Sequence, residues 1–251
     1  MVSVTQRIKQ IKQPRGGYIR PKEFNITILD DNIKLNEKEN IHSSLVGLAV
    51  DYMTRYSIGT PINEAFKISI MGASIIGESK FAQKLIEEIE GLDDNSIVNA
   101  CKLVGYDVCC RAGIIGYKPV QNINPDKDTI DNIRYMIKRS LKFIEIYGPI
   151  IKDGFTFEGG YTNLVSKGDG DFLTKSTLWD FKVSTKNPTN AHTLQLLMYY
   201  LMGINSTNEK YFKDVEKLGI FNPRLNSVYL LEIKKISSEI IKEISEKVIG
   251  Y

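Results

Sequence analysis

The stretch Gly168-Asp-Gly-Asp-Phe-Leu-Thr-Lys-Ser-Thr-Leu-Trp-Asp-Phe-Lys-Val-Ser184 constrains this chain more than any other. Phe172, Leu173, Leu178, Trp179, Phe181 and Val183 are strand formers on either side of Lys175-Ser176-Thr177. The pattern reads as two strands joined by a tight polar turn. Side chains alternate along a strand, so Asp180 and Lys182 share one face while Trp179, Phe181 and Val183 take the other. Across the hairpin, Asp171 falls near Asp180. An Asp and a Lys on an otherwise apolar strand are costly to bury unless they pair or bind something. Two close carboxylates repel, and a hard cation with oxygen ligands relieves the repulsion. Mg²⁺ suits such a site, because it takes one or two carboxylates and fills its other positions with water and substrate phosphate. Lys182 would add a fixed positive charge or position an attacking water.

An Asp-x-Lys taken alone is most often a solvated ion pair on a strand that faces water. Three features separate this one from that reading. Gly168 and Gly170 precede Asp171, which allows a bulge or a close backbone approach. The flanking strands are strongly apolar. The following helix, from about Asn190 to Gly203, carries a polar stripe: His192, Gln195 and Tyr199 are three and four residues apart and share a face. Asn190 is positioned to cap this helix and Gly203 to end it. Leu194, Leu197, Met198 and Leu201 cover its other side.

Together these residues resemble the PD-(D/E)XK nuclease superfamily, and within it the RecB-like clade. Gly168-x-x-Asp171 is similar to the family's G-x-x-D element, Asp180-Phe181-Lys182 to its (D/E)-x-K element, and Gln195-x-x-x-Tyr199 to the Q-x-x-x-Y motif of that clade. Leu218–Arg224 and Ser227–Ile233 look like its closing strand pair. The resemblance covers residues 155–233. It implies an α/β, restriction-endonuclease-like fold: a mixed β-sheet core flanked by helices and preceded by a helical block. It also implies Mg²⁺ or Mn²⁺ held by Asp171 and Asp180, Lys182 as the catalytic lysine, and Gln195 and Tyr199 lining the site and touching nucleic acid. His192 is a further candidate for nucleic-acid contact. The family often adds an upstream acid or His. The helix Ser43–Asp51 is similar to the one that carries a Gly and then a His four residues on, but here Asp51 stands at the His position. Asp51 is thus a candidate metal ligand, with His42 and Glu158 as alternatives. CRISPR-adaptation members of the clade add an iron–sulfur cluster on four cysteines. This chain has three, Cys101, Cys109 and Cys110, in no such spacing, so no cluster is expected.

The 251 residues suffice for one large domain, or for a core with a helical insert. Apolar content of 42% and charged content of 25% are those of a globular protein. An odd number of cysteines, no signal-peptide pattern and no apolar run of spanning length point to a cytoplasmic protein without a membrane partner; Phe66–Ile76 is too short and too broken to span. The net charge of +3 neither demands nor excludes nucleic acid. Residues 7–22, however, include six Lys and Arg and no acid, so residues 1–22 read as a basic arm in which Arg15 and Arg20 contact phosphates and Tyr18 is available to stack on a base.

A mainly helical part, 23–150, is expected to pack on a core at 151–251 within one compact domain. Its expected elements are an extended segment at 24–36 and helices at 41–57, 61–90, 94–113 and 129–147, with a last helix at 237–249. The leading reading is a metal-dependent deoxyribonuclease, with exonuclease action on ends or single strands favoured, in DNA processing, repair or phage and mobile-element defence. The competing readings are a non-cutting nucleic-acid-binding module, and a subunit that docks a helicase or ATPase. Asp51 in place of a His keeps the first open, and an exposed apolar patch over residues 61–113 would mark the second.

Overall fold

The computed structural model describes residues 2–251. In chain order the elements are α1 (Val4–Gln10), β1 (Asn25–Ile28), α2 (Ser43–Ser57), α3 (Ile62–Ala65), α4 (Lys67–Ile75), α5 (Ser79–Glu87), α6 (Asp94–Val104), α7 (Asp107–Arg111) and α8 (Lys127–Tyr147). They continue with β2 (Ile150–Thr156), β3 (Asp169–Thr174), β4 (Thr177–Phe181), α9 (Asn190–Ile204), α10 (Glu209–Phe212), β5 (Lys217–Asn222), β6 (Ser227–Glu232) and α11 (Ser238–Glu243). A π-helical turn, Ile244–Ile249, extends α11. The chain divides into a sheet unit, made of the residues up to Leu29 and Phe143–Tyr251, and a helical unit, Asp30–Lys142. The boundaries thus fall at 30 and 143 rather than at 23 and 151. Among the described residues no helix is long and apolar enough to cross a membrane.

The sheet unit is α/β, with one open six-stranded mixed sheet in the order β1-β6-β5-β4-β3-β2. Only β4 and β5 run parallel; the other neighbours are antiparallel. A parallel pair needs a crossover, and α9 with α10 supplies it. One face of the sheet carries Phe155, Leu173, Leu178, Leu218, Ile220, Tyr229 and Leu231, packed with Leu194, Leu197 and Met198 of α9. The other face carries Phe172, Trp179, Phe221 and Val228, packed with Phe143 from the last turn of α8. There the Phe143 ring stacks on Phe221 with centroids 4.1 Å apart and meets Trp179 edge-on at 4.7 Å. Such aromatic contacts add about 0.5–1.5 kcal/mol each beyond the area they bury. The indole N–H, which cannot be left bare in a core, donates to Thr174 Oγ1 at 3.0 Å.

The expected basic arm is a folded part of this unit. Ser3 and Gln6 form a capping box at the start of α1, and Val4 and Ile8 are buried in the α9-side core. Arg7 caps the far end of the chain by donating to the carbonyls of Lys247 and Val248. Tyr18 packs partly against the same core, with its hydroxyl toward Glu243 at 3.4 Å, so the ring is not presented as a stacking platform. Helix α9 also corrects two expectations. Its N-cap is Thr189, not Asn190. Gly203 lies inside it, because the Phe212 ring occupies the space of a Cβ at that position, 2.2 Å from where the atom would sit. The residue is glycine for close packing, not for helix termination.

In the helical unit the expected 61–90 stretch is three helices. Phe66 separates α3 from α4, and Gly77, at φ 76°, allows the turn between α4 and α5. The expected 94–113 helix is likewise two, broken at Gly105–Tyr106. Only four residues of the extended 24–36 segment form a strand, β1 at the sheet edge. The rest is irregular: the Asn36 and Asn40 side chains bond backbone groups around the start of α8, and the Asn132 amide on α8 bonds the N–H and carbonyl of Asn36. Cys101 lies buried on α6, where burial pushes its thiol up to about 12. Cys109 and Cys110 lie on α7, the first buried and the second half-buried.

Candidate metal and phosphodiester site

The hairpin β3–β4 forms as its alternation dictates, with Lys175-Ser176 as a two-residue turn and Phe172 opposite Trp179. Asp171 shares its face with Leu173, and Asp180 and Lys182 share theirs with Leu178. All three therefore lie on the sheet face covered by α9. The regular ladder ends at Phe172–Trp179, and beyond it the Asp171 carboxylate accepts the Phe181 N–H at 2.6 Å in place of a strand partner. Gly170 is needed just before it, since the Phe155 ring lies 2.5 Å from where a Cβ would be. The Lys182 N–H continues the parallel ladder by donating to the Phe221 carbonyl at 2.9 Å, which fixes the lysine at the carboxyl end of β4. In open α/β sheets this is the end at which ligands are bound.

Asp180 is 1% exposed. Its Oδ1 accepts from the Lys182 ammonium at 2.9 Å, while Oδ2, also buried, has no hydrogen-bond partner among the described residues. Leaving a buried carboxylate oxygen bare costs free energy of about 1–3 kcal/mol or more. A buried oxygen of this kind fits a donor or a cation.

Helix α9 lays its polar stripe over this point. Gln195 and Tyr199 are buried, and the Gln195 amide donates to the Tyr199 hydroxyl at 2.8 Å. Burial pushes the Tyr199 phenol far above its ordinary value, and the negative charges of Asp180, Asp171 and Asp169 push it further the same way. The phenol thus registers the negative charge of these carboxylates, while the hydrogen bond from Gln195 acts the other way. His192, one turn earlier, accepts the Thr189 N–H at Nδ1, 3.2 Å away, so the Nε2 side carries the proton of the neutral ring. Burial lowers its basicity, Lys182 lowers it further, and Asp180 opposes them. The imidazole therefore belongs to the same electrostatic neighbourhood.

The remaining candidates lie on other elements. Asp51 is half-buried on α2 of the helical unit. His42 is the N-cap of that helix, with Nδ1 accepting the Ser44 N–H. Glu158 is exposed beyond the end of β2. Among the described residues no group of three or more His, Cys, Asp or Glu side chains is placed to hold one ion, so the site offers a carboxylate pair. Arg15 and Arg20 are exposed, and Arg20 faces Glu23 at 4.0 Å. Asp169 escaped the sequence reading, although its spacing of two from Asp171 on one strand places it on the same face. The bare Asp180 Oδ2 and the negative field at Tyr199 fit a divalent cation of oxygen preference, for which Asp171 and Asp180 would be the protein ligands. Comparison with protein-family models, with curated proteins and with solved structures finds no match to this chain.

Proposed function

We propose that the chain is a metal-dependent nuclease of the PD-(D/E)XK superfamily, RecB-like and with a restriction-endonuclease-like core, that hydrolyses phosphodiester bonds in DNA. The observation that carries this reading is the convergence of Asp171, Asp180 and Lys182 on one sheet face beneath α9, with one buried oxygen of Asp180 making no hydrogen bond among the described residues. A divalent cation bound there would lower the pKa of a coordinated water and stabilise charge on the phosphate. Asp171 and Asp180 would hold it. The Lys182 ammonium, anchored through its own backbone to β5, places a positive charge beside the reacting phosphate. Gln195 holds Tyr199 as a hydrogen-bond acceptor, which leaves the phenolic proton to be donated to another group, and burial keeps that phenol protonated.

Incubation of the protein with labelled linear, circular and single-stranded DNA, in Mg²⁺, Mn²⁺ or EDTA, tests the proposal. Cleavage should require the metal and should vanish in both Asp180→Ala and Lys182→Ala. Retention of activity in either variant rejects the site. A partner-docking role for the helical unit is favoured by the exposed Met71, Ile75, Ile114 and Ile115 side chains. It predicts that the isolated chain leaves all three DNA forms intact.

A further inference from the structure

Two separate stretches of chain are fixed beside the first turn of α9, and both carry exposed cations. The Gln13 amide donates to the Asn190 carbonyl at 3.4 Å, the Thr193 hydroxyl donates to the Ile19 carbonyl at 2.7 Å, and Gly17 packs against the Asn190 side chain. The N-terminal segment is therefore pinned to the helix, with Lys12 and Arg15 on either side of the anchoring Gln13. From the other direction comes the β4–α9 connector, which carries Lys186. Asn222, buried at the end of β5, fixes this connector by bonding both the carbonyl and the N–H of Ser184, and Tyr229 holds Asn187. Lys12, Arg15 and Lys186 are exposed, and none makes an ion pair among the described residues. Two separate stretches of chain thus hold unneutralised cations beside the helix that covers the carboxylate pair, on backbone that is fixed. Close to a negative site, cations without acidic partners repel one another unless an anion lies between them.

We infer that Lys12, Arg15 and Lys186 form a phosphate track that binds the backbone of a single nucleic-acid strand leading to Asp171 and Asp180. The inference rests on the nuclease reading for its direction and deepens it by naming what the rim of the site binds. Contacts of this kind fix register and are independent of base sequence. Their signature is counterion release, about 0.7 in the slope of log K against log salt for each single-strand phosphate contact.

The test is a fluorescence-anisotropy titration of a labelled single-stranded DNA oligonucleotide in EDTA, across a range of salt concentrations. It compares the wild-type chain, the triple variant Lys12→Ala/Arg15→Ala/Lys186→Ala, and a control variant Lys234→Ala/Lys242→Ala/Lys247→Ala. The track predicts a slope shallower by about 2 in the first variant, from three contacts at ~0.7 each, and no change in the control. Thermal melts confirm that these exposed substitutions leave the fold intact. An unchanged slope, an equal change in the control, or binding to phosphatidylserine vesicles without binding to the oligonucleotide overturns the inference. EDTA separates the two claims. A shallower slope in a protein that never cleaves retains the track and rejects the nuclease, whereas metal-dependent cleavage with an unchanged slope does the reverse.

Discussion

Asp107 in the helical unit and Asp180 in the sheet unit are both almost fully buried, 2% and 1% exposed, and both lie beside a cation. Their surroundings differ in one respect. Asp107 has both oxygens occupied: Oδ1 accepts from the Ser69 hydroxyl at 2.6 Å, and Oδ2 from the Tyr52 hydroxyl at 2.6 Å and from Arg111 Nε at 3.2 Å. Arg111 also donates to the Tyr52 oxygen at 3.1 Å, which closes the network. Asp180 has one oxygen on Lys182, and the other has no hydrogen-bond partner among the described residues. A buried charge with every lone pair answered is a structural device. One with a bare oxygen costs stability, and such costs are retained where a ligand or a reaction requires them. The comparison separates a finished network from an unfinished site without appeal to any relative.

The largest effect that sharpens this contrast is on activity. Asp180→Asn keeps the shape and an acceptor for Lys182 but removes the charge a cation needs. Cleavage should fall by at least ~10³-fold, about 4 kcal/mol of barrier, with stability changed by less than ~1 kcal/mol. Asp107→Asn should do the opposite. Tyr52 and Ser69 lose a charged acceptor, worth about 1.5–3 kcal/mol per hydrogen bond. The half-exposed Arg111 adds little, since water can solvate it. Urea denaturation should show a loss of about 3 kcal/mol, while residual activity per folded molecule is unchanged. Equal destabilisation by the two substitutions would erase the distinction between them.

Next in size is the response to metal. A ligand that binds only the folded state stabilises it by about 2.7 kcal/mol at 100 times its Kd, or roughly 2–4 °C in Tm for each kcal/mol in a chain of this size. Mg²⁺ or Mn²⁺ should therefore raise the Tm of the wild-type protein and of Asp107→Asn, and leave Asp180→Asn where it was. A shift that persists in Asp180→Asn would place the cation elsewhere.

The sequence made the site more legible than the fold around it. Alternation in Leu178–Lys182 and the three- and four-residue spacing of His192, Gln195 and Tyr199 are local and periodic, and the structure places those side chains as the periods require. What the sequence could not show depends on contacts distant along the chain. Gly203 resembles a helix stop until Phe212 is seen against it, and residues 1–22 resemble a basic arm until Val4 and Ile8 are seen in the core. The network of Asp107 joins Tyr52, Ser69 and Arg111, which share no motif. The upstream metal ligand has no local period to mark it: Asp51 lies on α2 of the helical unit, far along the chain from the β3–β4 hairpin of the sheet unit.

The smallest effect is the pH response of His192. Burial and then Lys182 disfavour its imidazolium, Asp180 opposes them, and protonation at Nδ1 would also break the bond from the Thr189 N–H. The folded chain thus takes up this proton at lower pH than the unfolded chain, whose value is about 6.5. Falling pH favours the unfolded state from that point down to the folded value, and the contribution levels off once both states are protonated. The stability advantage of the wild-type protein over His192→Asn should accordingly shrink as pH drops below about 6.5, and an advantage that grows instead would reverse the assigned direction. The same group probes the comparison between the two aspartates. Asp180→Asn removes the one charge that favours the imidazolium and should lower the His192 titration further, whereas Asp107→Asn should leave it alone. The chain has only two histidines, so both imidazoles can be followed by NMR, with His42 as the internal reference. If His192 titrates identically in wild-type and Asp180→Asn protein, its ring does not share the field of the carboxylate pair, and the stripe on α9 faces something other than the site.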